Sequence, residues 1–181
     1  MAFINGRPNS LECKVVYWGP GLSGRSSNLD HIRRALVPAG QSQGPGLSLE
    51  IGEHRGLKVR VRLSTGPGAV VDEAASRLLL KGVDGVVFVA DSQEERVEAN
   101  MVALERLEAL LADHGLAIDR IPLVFQYNKR DLPGVVAVAD LEVVLNPWQR
   151  LGYEAVATTG DGVLETFREI ARQVFRELRR P

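Results

Sequence analysis

The sequence predicts a three-layer α/β fold built on a central, mostly parallel sheet, and three observations predict it. Apolar runs of strand length alternate with amphipathic runs of helix length. A glycine-rich loop joins the first strand-like run to the first helix-like run. Polar residues follow two apolar strand-like runs: Asp91-Ser92 after 83–90 and Asn128-Lys129 after 121–127. Strands of a parallel sheet are covered on both faces, so they read as near-continuous apolar runs. Ligands of such sheets sit beyond the strand C-termini.

The elements follow in order. A strand over 13–18 is followed by the glycine-rich loop and a helix over 28–37. The stretch 38–48 is rich in Gly, Pro and Ser and reads as a loop; 47–51 has the length for a short strand. Leu57, Val59, Val61 and Leu63 alternate with Lys58, Arg60 and Arg62, which predicts a strand with one wet face or at an edge. Runs 83–90 and 121–127 are the buried central strands. Val97, Met101, Leu104, Leu107 and Leu111 share one face of a long helix, and Val163, Phe167, Ile170, Val174 and Leu178 stripe the last one. These stripes predict core. No internal repeat is visible, and a single domain over 1–181 is expected.

Charge sets limits on partners. With 22 Lys and Arg against 23 Asp and Glu, the net charge of −1 offers no attraction to nucleic acid or to an anionic membrane. The basic tail Arg176, Arg179, Arg180 suits the C-terminal end of a helix. Cys13 is the sole cysteine, which fits a reducing compartment. No apolar stretch approaches the ~18 residues of a membrane span, and no signal peptide or lipidation motif is visible, so a cytoplasmic protein is expected.

Chemistry is concentrated in two motifs. Gly19-Pro20-Gly21-Leu22-Ser23-Gly24-Arg25-Ser26-Ser27 has the spacing of the phosphate-binding P-loop G-x-x-x-x-G-K-[ST], with Arg25 in the lysine position. Glycines let successive backbone N–H groups curl around an anion, and the helix that follows adds its positive pole. Arginine keeps the charge but is planar, forked and longer, so the exchange is not conservative. Ser26 stands at the metal-ligand position for Mg²⁺.

Asn128-Lys129-Arg130-Asp131 is the second motif. After a strand, N-K-x-D reads guanine: the aspartate accepts from the ring N–H and the exocyclic amine, which adenine does not supply in that arrangement. The asparagine meets the other edge of the base and the loop architecture, and the lysine stem lies along the ring face. Before the last helix, Glu154-Ala155-Val156-Ala157-Thr158-Thr159-Gly160 resembles the loop with which Ras-like proteins contact the guanine oxygen through a backbone N–H. Val156, Ala157 and Thr158 are the positions carried over.

Together these residues resemble the MglA family of bacterial Ras-like small GTPases. The resemblance covers nearly the whole chain, including Val15-Val16-Tyr17, the run from Gly82 to Ser92, Leu132-Pro133, and Thr65-Gly66-Pro67-Gly68, which is similar to that family's T-x-P-G version of the Ras D-x-x-G loop. It implies a P-loop G domain that binds GTP and GDP, a role in polarity and gliding motility, and regulation by a dimeric roadblock-fold protein of the MglB type.

Four departures concern the phosphate end. Arg25 replaces the P-loop lysine; Ala69 stands where the family carries a water-orienting glutamine; and Thr65 stands where Ras carries a metal-linked aspartate, as in MglA proteins. The span between the first helix and Leu57 is short, lacks threonine, and leaves little chain for a first switch loop. The sequence therefore implies guanine-nucleotide binding with little or no hydrolysis and action through partners. The alternative is a nucleotide-free module pairing with a roadblock protein or an active paralogue. Arg55 and Arg77 are candidates for an internal arginine finger. His31, His54 and His114 lack partners at zinc-ligand spacing; Ser23, Ser26 and Ser27 lack a G-x-S-x-G setting. Asp91, with Ser92, is expected to cap the next helix; Trp18 and Trp148 are expected to pack.

Overall fold

The computed structural model describes residues 9–38, 46–66 and 72–179. Among these, six strands form one sheet: β1 (Ser10–Trp18), β2 (Leu47–His54), β3 (Leu57–Thr65), β4 (Gly85–Asp91), β5 (Leu123–Asn128) and β6 (Gly152–Glu154). Their order is β2-β3-β1-β4-β5-β6, and every neighbouring pair is parallel except β2 with β3. The helices are α1 (Arg25–Leu36), α2 (Glu73–Leu80), α3 (Val97–Asp113), α4 (Val138–Leu145) and α5 (Val163–Leu178). This is the predicted mostly parallel α/β architecture, consistent with a Ras-like G domain. None of the described helices is long and apolar enough to cross a membrane.

Strand alternation divides the core into two layers. Val15 and Tyr17 of β1, Val87 and Val89 of β4, and Val124 of β5 face Leu29 and Ile32 of α1 and Phe167, Ile170 and Val174 of α5. Their neighbours Val16, Trp18, Val86, Phe88 and Phe125 face Leu80 of α2, Leu104, Leu107 and Leu111 of α3, and Leu141 and Leu145 of α4. A period of two sends consecutive side chains to opposite faces, so a strand apolar throughout is buried from both sides.

Local chemistry sets the boundaries. α1 stops at Leu36 because Val37 precedes Pro38 and is pushed into extended backbone (φ −103°, ψ 121°). β2 runs beyond the expected 47–51 because Arg55 and Gly56, at φ 52° and 77°, make the two-residue turn whose twist joins antiparallel strands. β3 is interior, so its Lys58 and Arg62 mark a wet face rather than an edge. On α3 the expected stripe holds at Val97, Leu104, Leu107 and Leu111 and fails at one position. Met101 is 38% exposed, whereas Asn100 is fully buried because its amide bonds the Asp91 main chain in both directions.

A polar network crosses the α1/α5 layer beneath the first loop. Gln126 on β5 donates to Asn28 Oδ1 (2.9 Å) and Thr166 Oγ1 (3.1 Å), and accepts from Asn28 Nδ2 (2.7 Å). Asn28 Nδ2 also reaches the Gly24 carbonyl at 3.0 Å, and Thr166 donates to the Gly162 carbonyl at 2.7 Å. All three side chains are fully buried, so removing one strands its partners without water. Asn28→Ala is expected to lower the unfolding free energy by about 2 kcal/mol in urea titrations. A loss under about 0.5 kcal/mol would show that the network does not brace the loop.

Candidate functional site

The loop after β1 is shaped by three residues with positive φ. Gly19 (φ 150°) lies so close to the Val89 carbonyl that a Cβ there would overlap it. Gly24 (φ 99°) is the left-handed residue before α1, and a Cβ on it would overlap the Asn128 amide nitrogen. Leu22, at φ 66°, stands 79% exposed at the loop apex. Ser23 is fully buried; its N–H donates to the Pro20 carbonyl at 3.3 Å.

α1 starts without a side-chain cap, and its first main-chain bond runs from Asn28 N–H to the Gly24 carbonyl (3.0 Å). The N–H groups of Gly21, Leu22, Gly24, Ser26 and Ser27 have no acceptor among the described residues. Uncapped donors at the positive pole of a helix form an anion site, so the cradle fits a phosphate chain. Arg25 is 9% exposed, and its burial depresses the guanidinium pKa from its ordinary value. Its Nη1 lies 3.6 Å from where a Cβ on Gly66 would stand, which puts the charged head at the β3 end of the cradle. It also lines a cavity of about 400 Å³ with Trp18, Gly21, Val102 and Arg106, on the α3 side and apart from Asn128 and Asp131.

The 128–131 turn is joined to this loop directly. Asn128, 2% exposed, donates from Nδ2 to the Ser23 carbonyl (2.7 Å) and accepts the Ala157 N–H at Oδ1 (2.9 Å). One side chain thus ties together all three segments that the sequence singles out. Arg130 N–H to the Ala155 carbonyl (3.1 Å) and the Arg130–Glu154 ion pair (2.9 Å) reinforce the join. Lys129 (φ 67°) sends Nζ to Asp91 Oδ2 (2.6 Å) and Gln93 Oε1 (3.0 Å), which holds its stem in place. Asp131 is exposed, and its carboxylate makes no hydrogen bond or ion pair among the described residues. It is available for the two donors of a guanine edge.

In the 154–160 loop, the Val156 N–H is taken by the Asp161 carbonyl (2.9 Å) and the Ala157 N–H by Asn128. The exposed Thr158 keeps an uncommitted N–H. Ser26 is exposed at the start of α1, while the Thr65 hydroxyl is buried without a partner among the described residues. No group of three or more His, Cys, Asp or Glu that could hold a metal occurs among the described residues.

Several expectations change. Asp91 accepts the Gln93 N–H at 3.2 Å but is chiefly the fully buried counter-ion of Lys129, not a helix cap. Arg55 sits before β3, whose C-terminal end adjoins the loop, so roughly 25 Å of strand separates them. Arg77 pairs with Glu73 (2.8 Å) and Asp113 (3.2 Å). Neither is an internal finger in this arrangement. Ala69 and the first-switch stretch 39–45 lie outside the described residues. Sequence reasoning passed over Gln126, Asn28 and Arg96; an amide between Phe125 and Tyr127 in an otherwise apolar strand was the available signal.

The sequence is 45% identical to the mutual gliding-motility protein MglA of Myxococcus xanthus, over an alignment that covers 99% of each chain. That alignment spans 193 positions while this chain has 181 residues, so the relative holds residues without a counterpart here. No protein-family model matches the chain. Gly24→Ala is expected to destabilise the fold by about 2 kcal/mol or more, through both the positive φ and the overlap with Asn128. In an Asn128→Ala background the cost should shrink, measured as non-additive urea midpoints; additive losses would show that the two residues do not meet.

Proposed function

This chain belongs to the MglA family of Ras-like small GTPases, and we propose that it binds GDP and GTP between the 19–27 loop and the 128–131 turn. The observation that carries the reading is Asn128, buried between the P-loop carbonyl of Ser23 and the Ala157 N–H, with the free carboxylate of Asp131 beside it. The N–H groups of Gly21, Leu22, Gly24, Ser26 and Ser27 take the phosphates, and Arg25 supplies charge at their β3 end. Asp131 reads the two donors of guanine, the Lys129 stem supports the ring, and Thr158 offers an N–H to the base oxygen. An unpartnered, exposed Asp131 favours this reading over a nucleotide-free module.

Hydrolysis is slow in this account. The lysine position carries Arg25, the glutamine position carries Ala69, and the span between the first helix and Leu57 holds no threonine. Each such loss removes stabilisation made chiefly in the transition state. Mg²⁺, when bound, neutralises phosphate charge; Ser26 is the protein group placed to hold it. The protein then acts in the cytoplasm through protein contacts, in polarity or gliding motility, with a roadblock-fold regulator or a paralogous GTPase as partner.

Competition of unlabelled nucleotides against a fluorescent GDP analogue tests the reading. GDP and GTP are expected to displace it and ATP is not. Asp131→Asn should shift preference from guanosine toward xanthosine diphosphate, because the amide offers a donor where the base then has an acceptor. Equal displacement by ATP would contradict the assignment. Single-turnover phosphate release should stay near background without a partner; ready turnover by the chain alone would overturn the catalytic part.

A further inference from the structure

A buried carboxylate organises the side of the P-loop opposite Asn128. Asp91 ends β4 and is fully buried. Its Oδ2 accepts from Lys129 Nζ at 2.6 Å and lies 3.7 Å from Arg96 Nε. Arg96 Nη2 in turn donates to the Gly21 carbonyl at 2.7 Å. Asn100 fixes the Asp91 main chain, donating to its carbonyl (2.8 Å) and accepting its N–H (2.9 Å). A continuous set of contacts therefore runs from Gly21 through Arg96 and Asp91 to Lys129.

Arg96 closes the short 3-10 turn Glu94–Arg96 and stands immediately before α3, whose dipole its positive charge opposes. The forked guanidinium donates to the Gly21 carbonyl while its Nε stays within ion-pair range of the Asp91 carboxylate, which a lysine ammonium in the same place would do poorly. The peptide plane explains the consequence. The Gly21 carbonyl and the Leu22 N–H belong to one rigid unit, so holding the oxygen aims the N–H the opposite way. The Ser23 carbonyl and Gly24 N–H form another such unit, and Asn128 holds that oxygen from the α1/α5 side.

We infer that Arg96 is a positioning residue that locks the P-loop to the base-reading lysine through Asp91, so that phosphate cradle and base turn release nucleotide as one unit. The inference rests on the guanine-nucleotide reading above. Arg96 does not touch the base; it acts through the Gly21 peptide and through the charge it shares with Lys129 on Asp91.

The test is the release rate of methylanthraniloyl-GDP from the full chain, chased with excess GDP, for wild type, Arg96→Ala, Arg96→Lys and Lys129→Ala. Arg96→Ala is expected to release roughly tenfold faster or more, from the loss of a charge-assisted bond that aims a phosphate donor. Arg96→Lys should release faster than wild type too, with a melting midpoint close to wild type, and it carries the test if the alanine variant folds poorly. Lys129→Ala should accelerate release less in the Arg96→Ala background than alone, which a purely structural Arg96 would not produce. Release within about twofold of wild type for both Arg96 variants, or fully additive effects with Lys129→Ala, would overturn the inference alone. No retention of the probe by wild type would reject the nucleotide site and the inference together.

Discussion

Two amide side chains on β5, two residues apart, hold the phosphate-type loop to the sheet. The period of a strand places Gln126 and Asn128 on the same face, toward α1 and α5. Gln126 grips Asn28, whose amide reaches the Gly24 carbonyl, and Asn128 grips the Ser23 carbonyl. Adjacent carbonyls of the loop are thereby pinned from one strand, and the N–H groups that share their peptide planes are aimed with them. Gly24 is part of the same contact, because only a residue without Cβ lets the Asn128 amide approach.

Because the groups that would read the base also orient the loop, the two halves of the site stand or fall together. Asn128 bridges Ser23 and Ala157, and Lys129 is anchored by Asp91. Losing the base-reading turn would therefore loosen the cradle. The residues that cleave a triphosphate carry no such burden. The arginine at the lysine position lies almost buried beside Gly66, and Ala69 has no polar group to lose. On the proposed function, such positions can diverge while the fold and its base pocket persist.

Much of this was legible in the sequence because its cause is local. Strand alternation, the glycine spacing of 19–24 and the N-K-x-D run report on the chain within a few residues of themselves. The strand 83–90 and the last helix needed no tertiary information. What escaped had tertiary causes. Nothing local marks Asn28, the first residue of the helix expected over 28–37, as a core residue; Gln126 on β5 meets it across 98 positions. Asp91 looked like a helix cap, and its pairing with Lys129 spans 38 positions. β6 is three residues long and α4 has eight, too short for a periodic pattern to stand out. On α3, Asn100 rather than Met101 is buried because it bonds the end of β4, which no hydrophobic period encodes.

Purified protein denatured and resolved by anion-exchange chromatography tests whether β5 assembles a guanine-nucleotide pocket, since such a pocket should carry its ligand through purification. Guanine nucleotide is expected, near one equivalent per chain and chiefly the diphosphate or undegraded triphosphate. Adenine nucleotide, or protein that neither carries guanine nucleotide nor takes it up afterwards, would contradict that expectation.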